Sequence, residues 1–178
     1  MKTADWGKGD EIQRENDAVS LCSLYAGGDT FGIDTRKIRE VLGERDLQMV
    51  PMCPMFIAGV VPYRGEVLTT VNLRALLGME VRLGRCCVLV MEDDEVAERF
   101  GLVVDAVGCV VTVSRLMLEG NPCTLEARGK WLFDGAFKME RGLMVRLDPQ
   151  RLCPSRLSAT GLFRKSANGG TDASPDRR

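Results

Sequence analysis

The sequence predicts a mainly β protein made of two similar halves, each small enough to close as a barrel or sheet, with few and short helices. Three observations predict it. The chain nearly repeats itself: residues 59–77 read GVVPYRGEVLTTVNLRALL and residues 135–153 read GAFKMERGLMVRLDPQRLC. Each copy has an apolar stretch, an Arg-Gly pair (Arg64-Gly65, Arg141-Gly142), a second β-rich stretch, and a capping residue (Asn72, Asp148) before a short amphipathic turn. The offset is 77 residues at the Arg-Gly pair and 76 at the cap. A weaker echo precedes each copy, Phe31-Gly32-Ile33-Asp34 against Phe100-Gly101-Leu102-Val103-Val104-Asp105. Next, short β-type runs follow one another closely, separated by turn residues. Finally, the chain has no G-x-G-x-x-G, no G-x-x-x-x-G-K and no long crossover helix, which a parallel βαβ fold would need.

Taken in order, residues 1–18 are polar and acidic with one aromatic, Trp6, and read as a disordered leader. Val19 to Ala26 and Thr30 to Ile33 flank Gly27-Gly28-Asp29, a tight-turn sequence, and form a hairpin. Asp34 or Thr35 caps a predicted helix from Arg36 to Leu42, closed by Gly43. Ile38, Val41 and Leu42 fall at i, i+3 and i+4 and would be its buried face. Met49 to Pro54 is extended, because residues before proline avoid the helical region. Ala58 to Tyr63 and Glu66 to Val71 form a hairpin around Arg64-Gly65, and Asn72 caps a short helix that Gly78 closes.

The second half repeats the plan. Cys86 to Met91 is a buried strand, and Glu92 to Glu95 is a solvated acidic turn. Phe100 to Asp105 and Val107 to Val113 are strands, and Trp131 to Phe137 with Leu143 to Leu147 is the last hairpin. Asp148-Pro149 starts a final short helix, with proline at its favoured first position. The body therefore spans residues 19–153, and residues 154–178 read as a flexible basic tail, with Leu162-Phe163-Arg164-Lys165 a short docking candidate within it.

Composition weighs against several classes of function. Net charge is −1 and aromatic content is 6%, so nucleic-acid binding, which uses a basic face with aromatic stacking, scores poorly. The longest apolar run, Cys86 to Met91, is far short of the ~20 residues of a membrane span, and the amino terminus has no apolar signal segment; the expected compartment is the cytoplasm. The seven cysteines form no C-x-x-C pair and have no histidine to share a zinc site with, so they are expected to be buried free thiols. The absence of histidine also removes the commonest general base, and no serine sits in a G-x-S-x-G elbow. Asp34 and Asp105 occupy matching places in the repeat and are read as caps or turn residues. No catalysis, cofactor or metal is expected.

What remains is protein recognition. Barrel edges and hairpins offer surface to a partner. Nine methionines supply core filler or, where exposed, adaptable apolar surface. Arg64 has two readings: a donor reaching a partner carboxylate, or an internal salt bridge to Glu40 or Glu66.

Five stretches in order resemble the CheW-like domain of bacterial chemotaxis coupling proteins. Phe31-Gly32-Ile33-Asp34 with Ile38-Arg39-Glu40-Val41-Leu42 is similar to F-G-I-D-x3-V-x-E-V. Val50-Pro51 with residues 54–61 is similar to V-P-x2-P-x-F-I-x-G-V-I, and residues 63–74 to N-L-R-G-x-V-x-P-V-x-D-L-R. Residues 101–107 are similar to G-L-L-V-D-x-V, and residues 147–152 to L-D-x2-R-L. The departures are Pro62 for the usual Asn, Thr69-Thr70 for Pro-Val, and Asn72 for Asp. The resemblance implies two intertwined SH3-like five-stranded β-barrels without enzymatic activity. It implies an adaptor between the cytoplasmic tip of methyl-accepting chemotaxis receptors and the regulatory domain of the chemotaxis histidine kinase. It further implies that Ile38, Glu40 and Arg64 line the receptor-binding groove. Two other readings stand beside it: an adaptor of a non-flagellar chemosensory pathway, and a small-ligand or RNA-binding barrel.

Overall fold

The computed structural model describes residues 17–82, 84–93, 98–121, 130–140 and 142–161. Ten strands are present: β1 Ala18–Ala26, β2 Asp29–Asp34, β3 Ile38–Arg45, β4 Ile57–Tyr63, β5 Glu66–Asn72, β6 Cys86–Asp93, β7 Glu98–Val104, β8 Ala106–Ser114, β9 Phe133–Met139 and β10 Gly142–Leu147. Two short α-helices, α1 Leu73–Leu76 and α2 Pro154–Thr160, and four 3-10 turns complete the described body.

The strands form two five-stranded sheets, ordered β8-β1-β2-β10-β9 and β3-β6-β7-β5-β4. Each sheet takes its leading hairpin from one half of the chain and its other three strands from the other half. The halves are thereby intertwined, and each sheet contains one parallel pair, β2 with β10 and β5 with β7. Each sheet is closed edge to edge by one isolated bridge. Gln48, beyond β3, exchanges backbone hydrogen bonds with Val60 of β4 at 2.9 and 2.8 Å. Glu119, beyond β8, does the same with Ala136 of β9 at 2.9 and 3.0 Å. These closures make two small barrels, the SH3-like double-barrel architecture.

Both closures depend on a glycine. Gly59 and Gly135 sit beside the bridges at φ +142° and +147°. A Cβ on either would lie 2.5 Å from a backbone carbonyl oxygen, of Gln48 or Glu119 respectively. The repeat seen in the sequence is therefore a repeat of strand closure.

The core has three parts. A small cluster fills each barrel: Val19, Leu21, Phe137 and Met144 in one, and Val61, Tyr63, Leu68 and Val90 in the other. A much larger cluster lies between the barrels, and includes Leu24, Phe31, Ile33, Phe100, Leu102, Phe133, Leu147 and Leu157. Strand β1 serves both, because alternate residues point to opposite faces: Leu21 enters its barrel while Cys22 and Leu24 face the interface. With most of the apolar burial between barrels, neither half can bury its surface alone.

Several predictions need correcting. Arg36 to Leu42 is not a helix: a 3-10 turn, Thr35–Lys37, leads into β3, and β3 pairs antiparallel with β6. The register slips between Ile38 and Glu40 and again between Val41 and Gly43. Each bulge adds a residue, which breaks the period-two alternation and mimics the i, i+3, i+4 spacing of a helix. Gly43, at φ +68°, serves a bulge and not a helix end. The Met49–Pro54 segment turns at Pro51-Met52, with Met52 at φ +58°. Glu92 and Asp93 belong to β6, while residues 94–97 lie outside the described residues.

The Arg-Gly pairs are not equivalent either. Tyr63 faces Glu66 across the first turn, and Met139 faces Gly142 across the second, so the register offset is 76. Gly142 is thus the first residue of β10. Residues 154–160, placed in the tail on sequence grounds, form α2, with Pro154 and Leu157 buried. Residues 1–16 of the leader and 162–178 of the tail, including Leu162 to Lys165, lie outside the described residues.

Candidate functional site

Arg64 and Gly65 form the two-residue loop between β4 and β5. Their φ values are +50° and +85°, the sign that a type I′ hairpin turn requires at both central positions. Glycine meets this without cost, whereas an arginine held there stores strain of the kind that gathers at functional positions. Arg64 is 65% exposed.

Glu40 lies on β3, the opposite edge of the same sheet. Closure of the barrel brings the two edges together. Arg64 Nη2 donates to Glu40 Oε2 at 2.7 Å, and the Tyr63 hydroxyl donates to the same oxygen at 2.9 Å. The guanidinium also lies 5.3 Å from the centre of the Tyr63 ring, in cation–π range. Hydrogen bonds first from Tyr63 and then from Arg64 hold the Glu40 carboxyl below the usual carboxylate range. Ile38, two residues before Glu40, is half-buried against the inter-barrel core. It lines a surface depression of about 360 Å³ together with Arg36, Arg39, Arg64 and Glu92.

The three residues predicted from sequence, Ile38, Glu40 and Arg64, therefore meet at one seam. The neighbouring charges were not foreseen. Arg39 donates to Glu92 at 2.6 Å, and Arg99 bridges Glu92 at 2.8 Å and Glu66 at 3.3 Å. The result is a charged array across four strands. Its carboxylates are ion-paired, with Glu92 held low by Arg99 and then Arg39. Such an array matches a polar partner surface by complementary charge. Tyr63 escaped sequence reasoning because it reads as a strand residue, and its partner is 23 positions away.

The other barrel shows what the fold itself needs. Ile38 and Val107 are equivalent at an offset of 69: they follow the matched Phe31-Gly32 and Phe100-Gly101 pairs, and both pack on the inter-barrel core. At that offset Cys109 stands where Glu40 stands, and at the hairpin offset of 76 Met139 stands for Tyr63. That barrel closes with neither a glutamate nor a tyrosine at these places. The Glu40–Arg64–Tyr63 cluster is thus additional to the fold.

A second exposed surface lies along the β3–β4 connection. Met49 and Met55 are each 68% exposed and Met52 is fully exposed, contrary to the expectation of core filler. Beside them is an apolar depression of about 420 Å³, lined in part by Leu47, Met49, Met55, Ile57 and Val81. Met91 and Met144 do fill core. The six described cysteines are free; Cys22 and Cys153 are buried, Cys53, Cys86 and Cys87 are half-buried and Cys109 is exposed, so the expectation of burial holds only in part. Cys123 lies outside the described residues. Burial pushes the thiols of Cys22, Cys86, Cys87 and Cys153 up, which makes them poor nucleophiles at neutral pH. Asp34 caps the turn before β3 by accepting from the Arg36 N–H at 3.0 Å. Asp105 accepts from the Gly27 N–H at 2.9 Å and pairs with Arg74 at 2.6 and 2.8 Å.

The described body is an intertwined double barrel, with an exposed, ion-paired seam at one end of the β3-β6-β7-β5-β4 sheet and an apolar depression at the other. Residues 21–156 match the family model described as CheW-like domain, and the chain belongs to that family. It is 22% identical over 149 residues to a chemotaxis protein CheW of Treponema pallidum, covering 79% of this chain and 85% of that one. It is 28% identical over 107 residues to a chemotaxis protein CheW of Rhizobium meliloti, covering 60% and 69% respectively. The crystal structure of the scaffolding protein TtCheW from Thermoanaerobacter tengcongensis superposes with a TM-score of 0.64 at 20% identity, over 73% of this chain and 88% of that chain. The family is one of non-enzymatic scaffolds, and this chain is a chemotaxis coupling adaptor. Among the described residues no helix is long and apolar enough to cross a membrane, and no cluster of potential metal ligands occurs.

Proposed function

We propose that this protein joins the cytoplasmic tip of methyl-accepting chemotaxis receptors to the regulatory domain of the chemotaxis histidine kinase, in the cytoplasm, and that Ile38, Glu40 and Arg64 form its receptor-binding groove. The observation that carries this reading is the exposed Glu40–Arg64 pair, placed on a strained turn and absent in kind from the equivalent seam of the other barrel. Ile38 supplies an apolar contact beside the charged pair. Coupling of this sort requires a difference in affinity between partner states, typically about 1–3 kcal/mol.

Co-sedimentation tests the reading. The protein is mixed with its host's chemotaxis kinase and a receptor cytoplasmic fragment, beside the Arg64→Ala variant. The wild-type protein should bring the kinase down with the receptor and raise its autophosphorylation, and the variant should not. Binding to neither partner would refute the coupling role while leaving the fold intact.

A further inference from the structure

We infer that Tyr63 is a positioning residue of the recognition seam: its buried ring supports the Arg64 guanidinium while its hydroxyl holds Glu40 Oε2, so that one side chain orients both members of the exposed pair. This inference rests on the function proposed for Glu40 and Arg64.

Three observations carry it. Tyr63 is 5% exposed, and its ring belongs to the small core inside the barrel with Val61, Leu68 and Val90. A ring locked in a packed interior has little freedom, so a group on its outer end is a fixed reference point at the rim. The hydroxyl reaches the rim and bonds a carboxylate oxygen that is itself part of the surface. Arg64 needs such support: it is long, largely exposed, and attached at a turn position that arginine does not favour. The ring face 5.3 Å away and the shared Glu40 oxygen limit the directions it can take. Finally, the matching place in the other barrel is Met139, which carries no hydroxyl. Filling the barrel therefore requires bulk at this position and not a phenol. Ordering an exposed arginine before binding reduces the entropy lost when a partner arrives.

The test is Tyr63→Phe, which keeps the ring, its burial and its contact with Arg64 and removes only the hydroxyl. Glu40 is followed by carbon-detected NMR titration of its carboxyl in the free protein, with Arg39 and Arg64 as its other charged neighbours. Binding to a receptor fragment is measured in parallel, in the wild-type and the Arg64→Ala backgrounds. The expected result is a Glu40 carboxyl that titrates at higher pH in Tyr63→Phe. Receptor binding should weaken by at least about five-fold in the wild-type background and change little when Arg64 is already alanine. The melting temperature should fall by no more than about 2–4 °C. An unmoved Glu40 titration overturns the inference, as does unchanged receptor binding, or a loss equally large in the Arg64→Ala background. If the wild-type protein does not bind the receptor fragment, the proposed function fails. The Glu40 titration in the free protein then still decides whether Tyr63 orients the pair.

Discussion

Arg64→Asn separates recognition from stability most cleanly. At φ +50° a side chain other than glycine pays roughly 1–2 kcal/mol relative to its preferred region, and asparagine tolerates this region better than arginine does. The substitution converts the turn to Asn-Gly, the favoured type I′ pair, and recovers part of that strain. Against this stand two losses. The ion pair with Glu40 has side chains 65% and 38% exposed, so solvent screening leaves its contribution small. The contact with the Tyr63 ring at an exposed site contributes about 0.5–1 kcal/mol. The terms nearly cancel, so folding stability should change by less than about 1 kcal/mol, a shift of about 2–4 °C in melting temperature for a chain of this size. On the proposed function, receptor-fragment affinity should nevertheless fall by more than about 1 kcal/mol, roughly five-fold, because the guanidinium proposed to meet the partner is gone. Circular dichroism melting and isothermal titration read the two quantities separately. A loss of 2 kcal/mol or more (~) in stability with unchanged affinity would refute the reasoning and return Arg64 to a purely structural role.

The remaining predictions address the scaffold. Gly59→Ala and Gly135→Ala should each destabilise by about 2–3 kcal/mol in urea unfolding, because the new Cβ meets a carbonyl oxygen at 2.5 Å and the φ is one that L side chains rarely adopt. Stability within error of wild type for either variant would show that the bridge does not close that barrel. Asp105→Ala should cost about 3 kcal/mol at neutral pH, since it leaves Arg74, only 12% exposed, without its bidentate partner. The Asp105 carboxyl is held low by Arg74 first and by the Gly27 N–H, so its contribution is complete above the unfolded carboxylate value of about 3.9 and is lost as pH falls through the lower folded value. The gap between wild type and Asp105→Ala should accordingly narrow in melts taken at acid pH, and a gap independent of pH would exclude the ion pair as its source. Met52→Gln should leave the melting temperature unchanged, because the side chain is fully exposed; a marked fall would mean that the β3–β4 connection is packed in solution.

Hairpins were legible in the sequence because their signals are local. Gly27-Gly28 and Arg64-Gly65 sit at their turns, and Asn72 and Asp148 cap the turns that follow by accepting from the N–H groups of Ala75 and Gln150. The β3 strand was not legible, since its two bulges replace alternation with a helix-like spacing. The exchange of the leading hairpins between halves was invisible for a different reason: which sheet a strand joins is decided by pairing over long separations, and the local pattern is the same either way. Of the candidate site, Ile38, Glu40 and Arg64 came from the family resemblance. Their convergence required knowledge that β3 and β4 are the two edges of one closed sheet. Tyr63 was hidden because its ring obeys the strand pattern while its hydroxyl departs from it.

The internal repeat also serves as a control on function. Positions that match in both halves report what a closed barrel demands. Gly59 and Gly135 match because a carbonyl oxygen occupies the space a Cβ would take. Gly32 and Gly101 match because β2 and β7 each lie against a neighbouring strand at a residue whose side chain fills that space, Met144 or Thr70. Positions that differ between halves are free of that demand. Glu40 against Cys109 and Tyr63 against Met139 are differences of charge and hydrogen bonding at matching places of the repeat. A polar cluster that one barrel has and its twin does without is not required for closure, and its exposure at a strained turn supports the recognition role proposed for it.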